Sequence, residues 1–175
     1  MRTLRLLFFL ALFGISSNAM AQAAVMARSD AQSNSKVDSL STALKVLELS
    51  ELREILSNSG QFTVFAPSDA AFKQLGEEEI KALLQPENKQ ELRSLMAYHI
   101  VAGKLTASRI LQALSRGKGY ASLTTIQGEE LRVRLIGTDI VLMDCSGNEA
   151  RITAADTTSR NLVFHRIDRV VVPAP

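Results

Sequence analysis

The side chains able to do chemistry are few, and their spacing limits what they can do. Two histidines, His99 and His165, and one cysteine, Cys145, are scattered along the chain. A structural zinc site usually takes four Cys or His ligands and a catalytic one about three protein ligands, so a metal here would have to borrow carboxylates. No HExxH, paired CxxC or calcium-loop spacing occurs. Asp144 to Asn148 carries oxygen-bearing side chains around Gly147, without the ligand spacing and closing glutamate of an EF-hand. Neither a metal nor another cofactor is expected. Hydrolysis is the remaining catalytic reading, with Ser68, Asp69 and His99 as nucleophile, acid and base. Yet no Gly-x-Ser-x-Gly elbow exposes the serine, and Ser68 has a sufficient task in capping the helix after it. The chain reads as a non-enzyme. With one cysteine there is no intramolecular disulfide. Beside the apolar run Ile140 to Met143, Cys145 is expected to be a small buried hydrophobe.

These residues hang on a chain whose period changes once. From Val37 apolar residues recur at three- and four-residue steps, at Leu40, Ala43, Leu44 and Leu47, then at Leu52, Ile55 and Leu56, the stripe of amphipathic helices. Ser50 is placed to cap a break between two short helices, and Gly60 to stop the second. Phe62 to Phe65 reads as a strand. Ser68 caps the next helix, Asp69 suits its positive end, and Gly76 closes it. Glu77-Glu78-Glu79 opens another helix to about Leu84. Pro86 starts a longer one with Leu92, Leu95, Met96 and His99 on one face, and Thr106 caps a helix through Ile110, Leu111 and Leu114. Past Gly117 and Gly119 the period falls to two, Leu131, Val133 and Leu135 alternating with Arg132, Arg134 and Ile136. Strands are also predicted at Ile140 to Met143, Ala150 to Ala155, Leu162 to Ile167 and Arg169 to Val172. Turns fall at Gly137-Thr138-Asp139 and at Cys145-Ser146-Gly147-Asn148. Helices first and strands last, with one early strand in need of distant partners, is the order of an α+β domain.

The ends and the charge narrow the function further. Arg2 and Arg5, the apolar run Leu6 to Ile15 and the small residues Ala19-Met20-Ala21-Gln22-Ala23 have the order of a secretory signal peptide. Residues 1–23 are predicted to be removed, with cleavage after Ala23 or after Ala21. The apolar run is too short to span a bilayer, which takes about 20 residues. Residues 24–36, rich in Ala, Ser, Asn and Gln, read as a flexible tether, and residues 37–175 as one domain. Cleavage removes two arginines and no acids, so 20 basic against 18 acidic residues becomes 18 against 18, and a net charge of +2 becomes 0. Nucleic-acid and polybasic membrane binders show a basic excess, so neither partner is expected. Arg132 and Arg134, with Lys104, Arg116 and Lys118, form a basic set that Glu129 and Glu130 offset, a solvated strand face rather than a polysaccharide site.

Three segments are more specific: Phe62-Thr63-Val64-Phe65-Ala66-Pro67-Ser68-Asp69-Ala70-Ala71-Phe72, then Tyr98-His99-Ile100-Val101-Ala102-Gly103-Lys104-Leu105, then Asn161-Leu162-Val163-Phe164-His165-Arg166-Ile167-Asp168-Arg169-Val170. In that order they resemble the signatures of the fasciclin (FAS1) domain, from about Ser39 to Pro173. Asp69 falls on the acidic position of the first signature, Tyr98 and His99 on the tyrosine–histidine pair, and His165 and Asp168 on the final strand and its turn. Leu162, where the family usually has glycine, and Arg166, in place of an apolar residue, depart from the pattern. The resemblance implies an α+β wedge of two β-sheets with helices around it, and brings Asp69 close to His99. It implies an exported, non-catalytic protein of the periplasm, medium or cell surface, in adhesion or in binding an envelope or extracellular protein or polysaccharide. The alternative is a carrier of a hydrophobic small molecule such as a carotenoid. In animal members the Tyr98-His99 region is implicated in integrin adhesion, and Asp139-Ile140 is similar to short adhesion sequences there. In this chain core packing accounts for Tyr98 and His99, and a dipeptide is too common to count.

Overall fold

The computed structural model describes residues 40–58 and 60–174. The expected signal peptide and tether lie outside them. Helix α1 (Ser41–Leu49) buries Ala43, Val46 and Leu47. It breaks at Glu51, whose φ of 57° cannot continue a right-handed helix, and the chain resumes as α2 (Leu52–Asn58). Ser50 stands at the break between the two helices, as expected. It ends α1, with its hydroxyl donating back to Leu47 O at 2.8 Å. Strand β1 (Phe62–Pro67) leads to α3 (Asp69–Lys73), where Ser68 Oγ accepts the Ala71 N–H at 3.1 Å as a cap should. Then come α4 (Glu77–Leu83), a 3₁₀ turn at Pro86–Asn88, α5 (Lys89–Tyr98), β2 (Ile100–Ala102) and α6 (Ala107–Arg116). Thr106 Oγ1 caps α6 by accepting the Arg109 N–H at 3.3 Å. The last elements are β3 (Tyr120–Thr124), β4 (Glu130–Ile136), β5 (Asp139–Met143), β6 (Glu149–Ser159) and β7 (Leu162–Ile167).

Among the described residues the strands form one hydrogen-bonded series in the order β2-β1-β7-β6-β5-β4-β3. Strand β6 joins its two portions. It pairs with β5 through Glu149 to Arg151 and with β7 from Ile152 onward, with register shifts between Ile152 and Ala154 and between Ala154 and Thr157. Such bulges bend a strand and raise its twist, which turns one portion of the sheet away from the other. The two ends of the series also meet. Val101 bridges Thr125, and the Ile126 N–H donates to Ile100 O at 2.8 Å, so both edge strands are covered where they would otherwise invite pairing.

Strand β1 is buried on both faces, which is why its sequence is a nearly continuous apolar run rather than an alternation. Val64 and Ala66 join a core with Leu52, Leu56, Leu92 and Met96 from the helices. Phe65 points the other way, into a second core with Tyr98, Leu114, Leu131, Leu142 and Ile167. β1 pairs antiparallel with β2 and parallel with β7, Phe62 opposite Leu162 and Phe65 opposite His165. Gly117 ends α6 tightly enough that a Cβ there would sit 1.9 Å from Tyr120 O.

Two expectations about this frame fail. Arg169 to Val172 is not a strand, because its donors bond to side chains instead of a neighbouring strand. Cys145 is exposed rather than buried.

Candidate functional site

Asp69, in the first turn of α3, holds the start of α1. Its Oδ1 accepts the Thr42 N–H at 2.8 Å, and Oδ2 accepts the Ser41 hydroxyl at 2.6 Å. Leu40, the residue preceding α1, offers no side-chain cap of its own, so the carboxylate supplies from a distance what a local cap would supply.

Tyr98 and His99 sit at the end of α5, both with no exposed surface. The Tyr98 hydroxyl donates to Glu130 O at 3.1 Å, and its pKa is pushed up to about 12, chiefly by burial. His99 Nε2 accepts the Val171 N–H at 3.3 Å, so Nδ1 carries the proton and donates to Leu95 O at 2.8 Å. Burial lowers its pKa from 6.5 to about 4, against a smaller opposite push from the Leu95 carbonyl. Both ring nitrogens are thus taken by backbone groups. The expected approach of Asp69 to His99 is not a bond between them, and among the described residues no base bonds the Ser68 hydroxyl. The three residues of the hydrolytic reading are separate structural devices.

His165 is buried on β7 and stacked on Phe65, with ring centroids 5.6 Å apart. Its Nδ1 accepts the Asp156 N–H at 3.3 Å, so Nε2–H donates to Leu105 O at 2.7 Å. Asp156 holds the bulge of β6 at a φ of 61°, and its Oδ1 accepts the Ala107 N–H at 2.9 Å at the start of α6. Asp168 Oδ1 accepts the Arg151 N–H at 2.7 Å, and the Asp168 carbonyl accepts Gln74 Nε2 at 3.2 Å.

Asp144 belongs with these residues, and sequence reasoning weighed it only as a calcium ligand. It is wholly buried. Oδ1 accepts the N–H groups of Ser146 and Asn148 at 3.0 and 2.8 Å, while Oδ2 accepts Asn148 Nδ2 at 3.0 Å and the Val172 N–H at 3.2 Å. The signal was local: an aspartate opening a turn bonds the amide two residues on. With His99 it fastens the segment after β7, and Glu129 Oε2 adds the Ala174 N–H at 3.0 Å. Among the described residues no group of three or more His, Cys, Asp or Glu is placed to hold a metal ion. Arg134 pairs with Glu149, and Arg132 donates to Asp144 O at 3.2 Å.

The Fasciclin domain family matches residues 38–173. The chain belongs to that family. Its fasciclin domain is 32% identical over 136 residues to protein sll1483 of Synechocystis, covering 78% of this chain and 68% of the relative. Immunogenic protein MPB70 of Mycobacterium bovis is 32% identical, over 66% of this chain and 52% of that protein. Human periostin is 28% identical over 77% of this chain, but the match spans only 15% of periostin. A solved FAS1 domain pair from the insect cell adhesion molecule Fasciclin I superposes with a TM-score of 0.57 at 23% identity, over 76% of this chain and 46% of that one. That likeness concerns the fold.

The described surface of the fasciclin domain includes two depressions. One, of about 350 Å³, is polar and borders Asp168, with Arg151, Arg169, Glu149 and Gln74 around it. The other, of about 430 Å³, is a largely apolar cleft between α2 and α5. Among the described residues no helix is long and apolar enough to cross a membrane.

Proposed function

We propose that this fasciclin protein is an exported, non-catalytic binding module that engages a protein or polysaccharide of the cell surface or envelope in adhesion. The observation that carries the reading is the use made of the motif side chains. Asp69, Tyr98, His99, His165 and Asp168 each bond a distant stretch of their own chain, and none is poised against a nucleophile. What remains for function is the outer surface of a stiff scaffold, where binding residues ordinarily reside. Membership of a family that includes a cell adhesion molecule supports the same reading, and the signal-like order of residues 1–23 supports export to the periplasm, the medium or the cell surface. In the test, residues 24–175 are added to cells and envelope material from the native source. Saturable binding at micromolar concentration is expected; binding to neither would remove the reading.

A second reading, a carrier of a hydrophobic small molecule, is favoured by the apolar cleft between α2 and α5. Native mass spectrometry of protein from its own source distinguishes the two: an added small-molecule mass, above all with visible absorption, makes the carrier the leading function.

A further inference from the structure

The cleft between α2 and α5 has two unlike sides. Ile55 on α2, with the partly exposed Phe62 and Ile126, gives it an apolar bed, under which Leu52 is almost wholly covered. The opposite side carries Gln90 and Arg93, which with Ala97 follow one face of α5 at steps of three and four residues. Two other polar residues there, Ser94 and Gln127, answer each other, Gln127 Nε2 donating to Ser94 Oγ at 2.8 Å. Arg93 has no hydrogen bond or ion pair among the described residues. Glu51, whose charge Arg93 feels, is itself taken by Lys89 Nζ at 2.5 Å. The result is an apolar bed headed by a single uncommitted guanidinium. Its volume of about 430 Å³ lies within the roughly 300–1,000 Å³ of small-molecule sites.

We propose that this cleft binds a single-chain amphiphile with a carboxylate head. The alkyl chain lies on Ile55, Phe62 and Ile126, and the carboxylate accepts the forked N–H groups of Arg93, whose planar geometry matches it. The proposal rests on the carrier reading above and adds to it the charge and place of the ligand's head group.

Calorimetric titration of the exported protein with decanoate, decanol and decyltrimethylammonium, all below micelle formation, tests it. Decanoate is expected to bind on the order of tenfold more tightly than decanol, the worth of one charge-assisted hydrogen bond, with the ammonium weakest. Arg93→Gln is expected to bring decanoate down to the affinity of decanol and leave decanol unchanged. Ile55→Glu alters a side chain that is already 42% exposed, so the fold survives while decanoate is repelled. Equal affinity for decanoate and decanol, or a decanoate preference that persists in Arg93→Gln, overturns the anionic head and leaves the carrier reading standing. Binding of none of the three overturns the proposal, and native mass spectrometry then decides the carrier reading by itself.

Discussion

Acid is expected to weaken the domain through His99, by an amount that follows from its surroundings. The imidazole has no exposed surface, and its Nε2 must stay unprotonated to accept the Val171 N–H. Protonation in place would set a second N–H against that donor in a site shut off from solvent, which is why burial lowers the pKa from 6.5 to about 4. Because the folded value is depressed, the contribution to stability is complete above pH 6.5. It shrinks as pH falls, because the unfolded chain takes up the proton first, and it is gone once pH has passed below about 4. The gap from 6.5 to about 4, at about 1.4 kcal/mol for each pH unit, amounts to about 3 kcal/mol. Urea unfolding measured across that window on the wild type and on His99→Gln isolates the effect, since every other titrating group is common to both. The glutamine lowers stability at neutral pH, but the wild type is expected to lose about 3 kcal/mol more than the variant on acidification. Parallel profiles for the two proteins would refute the reasoning.

Three further outcomes follow from the geometry. Asp144→Ala strands four hydrogen-bond donors around a buried turn and is expected to cost about 3 kcal/mol in urea unfolding at neutral pH. Gly117→Ala drives a methyl group against Tyr120 O, 1.9 Å from the ideal Cβ position, and is expected to cost about 2 kcal/mol, read as a lowered Tm. Cys145 is exposed, so a thiol reagent is expected to modify the folded protein about as fast as the urea-unfolded one; strong protection in the folded state would place the thiol inside.

Helix beginnings were legible in the sequence because caps are local. Ser68 and Thr106 each bond an amide three residues ahead, and residue type alone announces them. The α+β order and the family resemblance were legible for the same reason: they rest on contiguous segments. What escaped depends on distant partners. Strands β2 and β3, three and five residues long, have little periodicity of their own and exist because β1 and β4 pair with them. Val170, Val171 and Val172 look like a strand, yet the amides of Val171 and Val172 bond to side chains 72 and 28 residues away. Cys145 was misplaced because Asp144, not its apolar neighbours, governs that turn. The aspartate faces inward to collect donors, and the next side chain faces out. For the candidate site, the motif residues were named in advance but their partners were not. A resemblance marks positions, while the carbonyl or amide that each one meets is a property of the folded chain.

The central claim is that the motif residues hold a scaffold whose surface does the binding. The most direct test measures saturation binding to envelope material for wild type, Asp69→Ala and His99→Gln, at a pH and temperature where unfolding curves show all three folded. Equal saturable binding per folded molecule, alongside lowered unfolding free energies for the two variants, is the expected result. Full stability with lost binding in either variant would contradict the account and place that residue in the recognition surface itself.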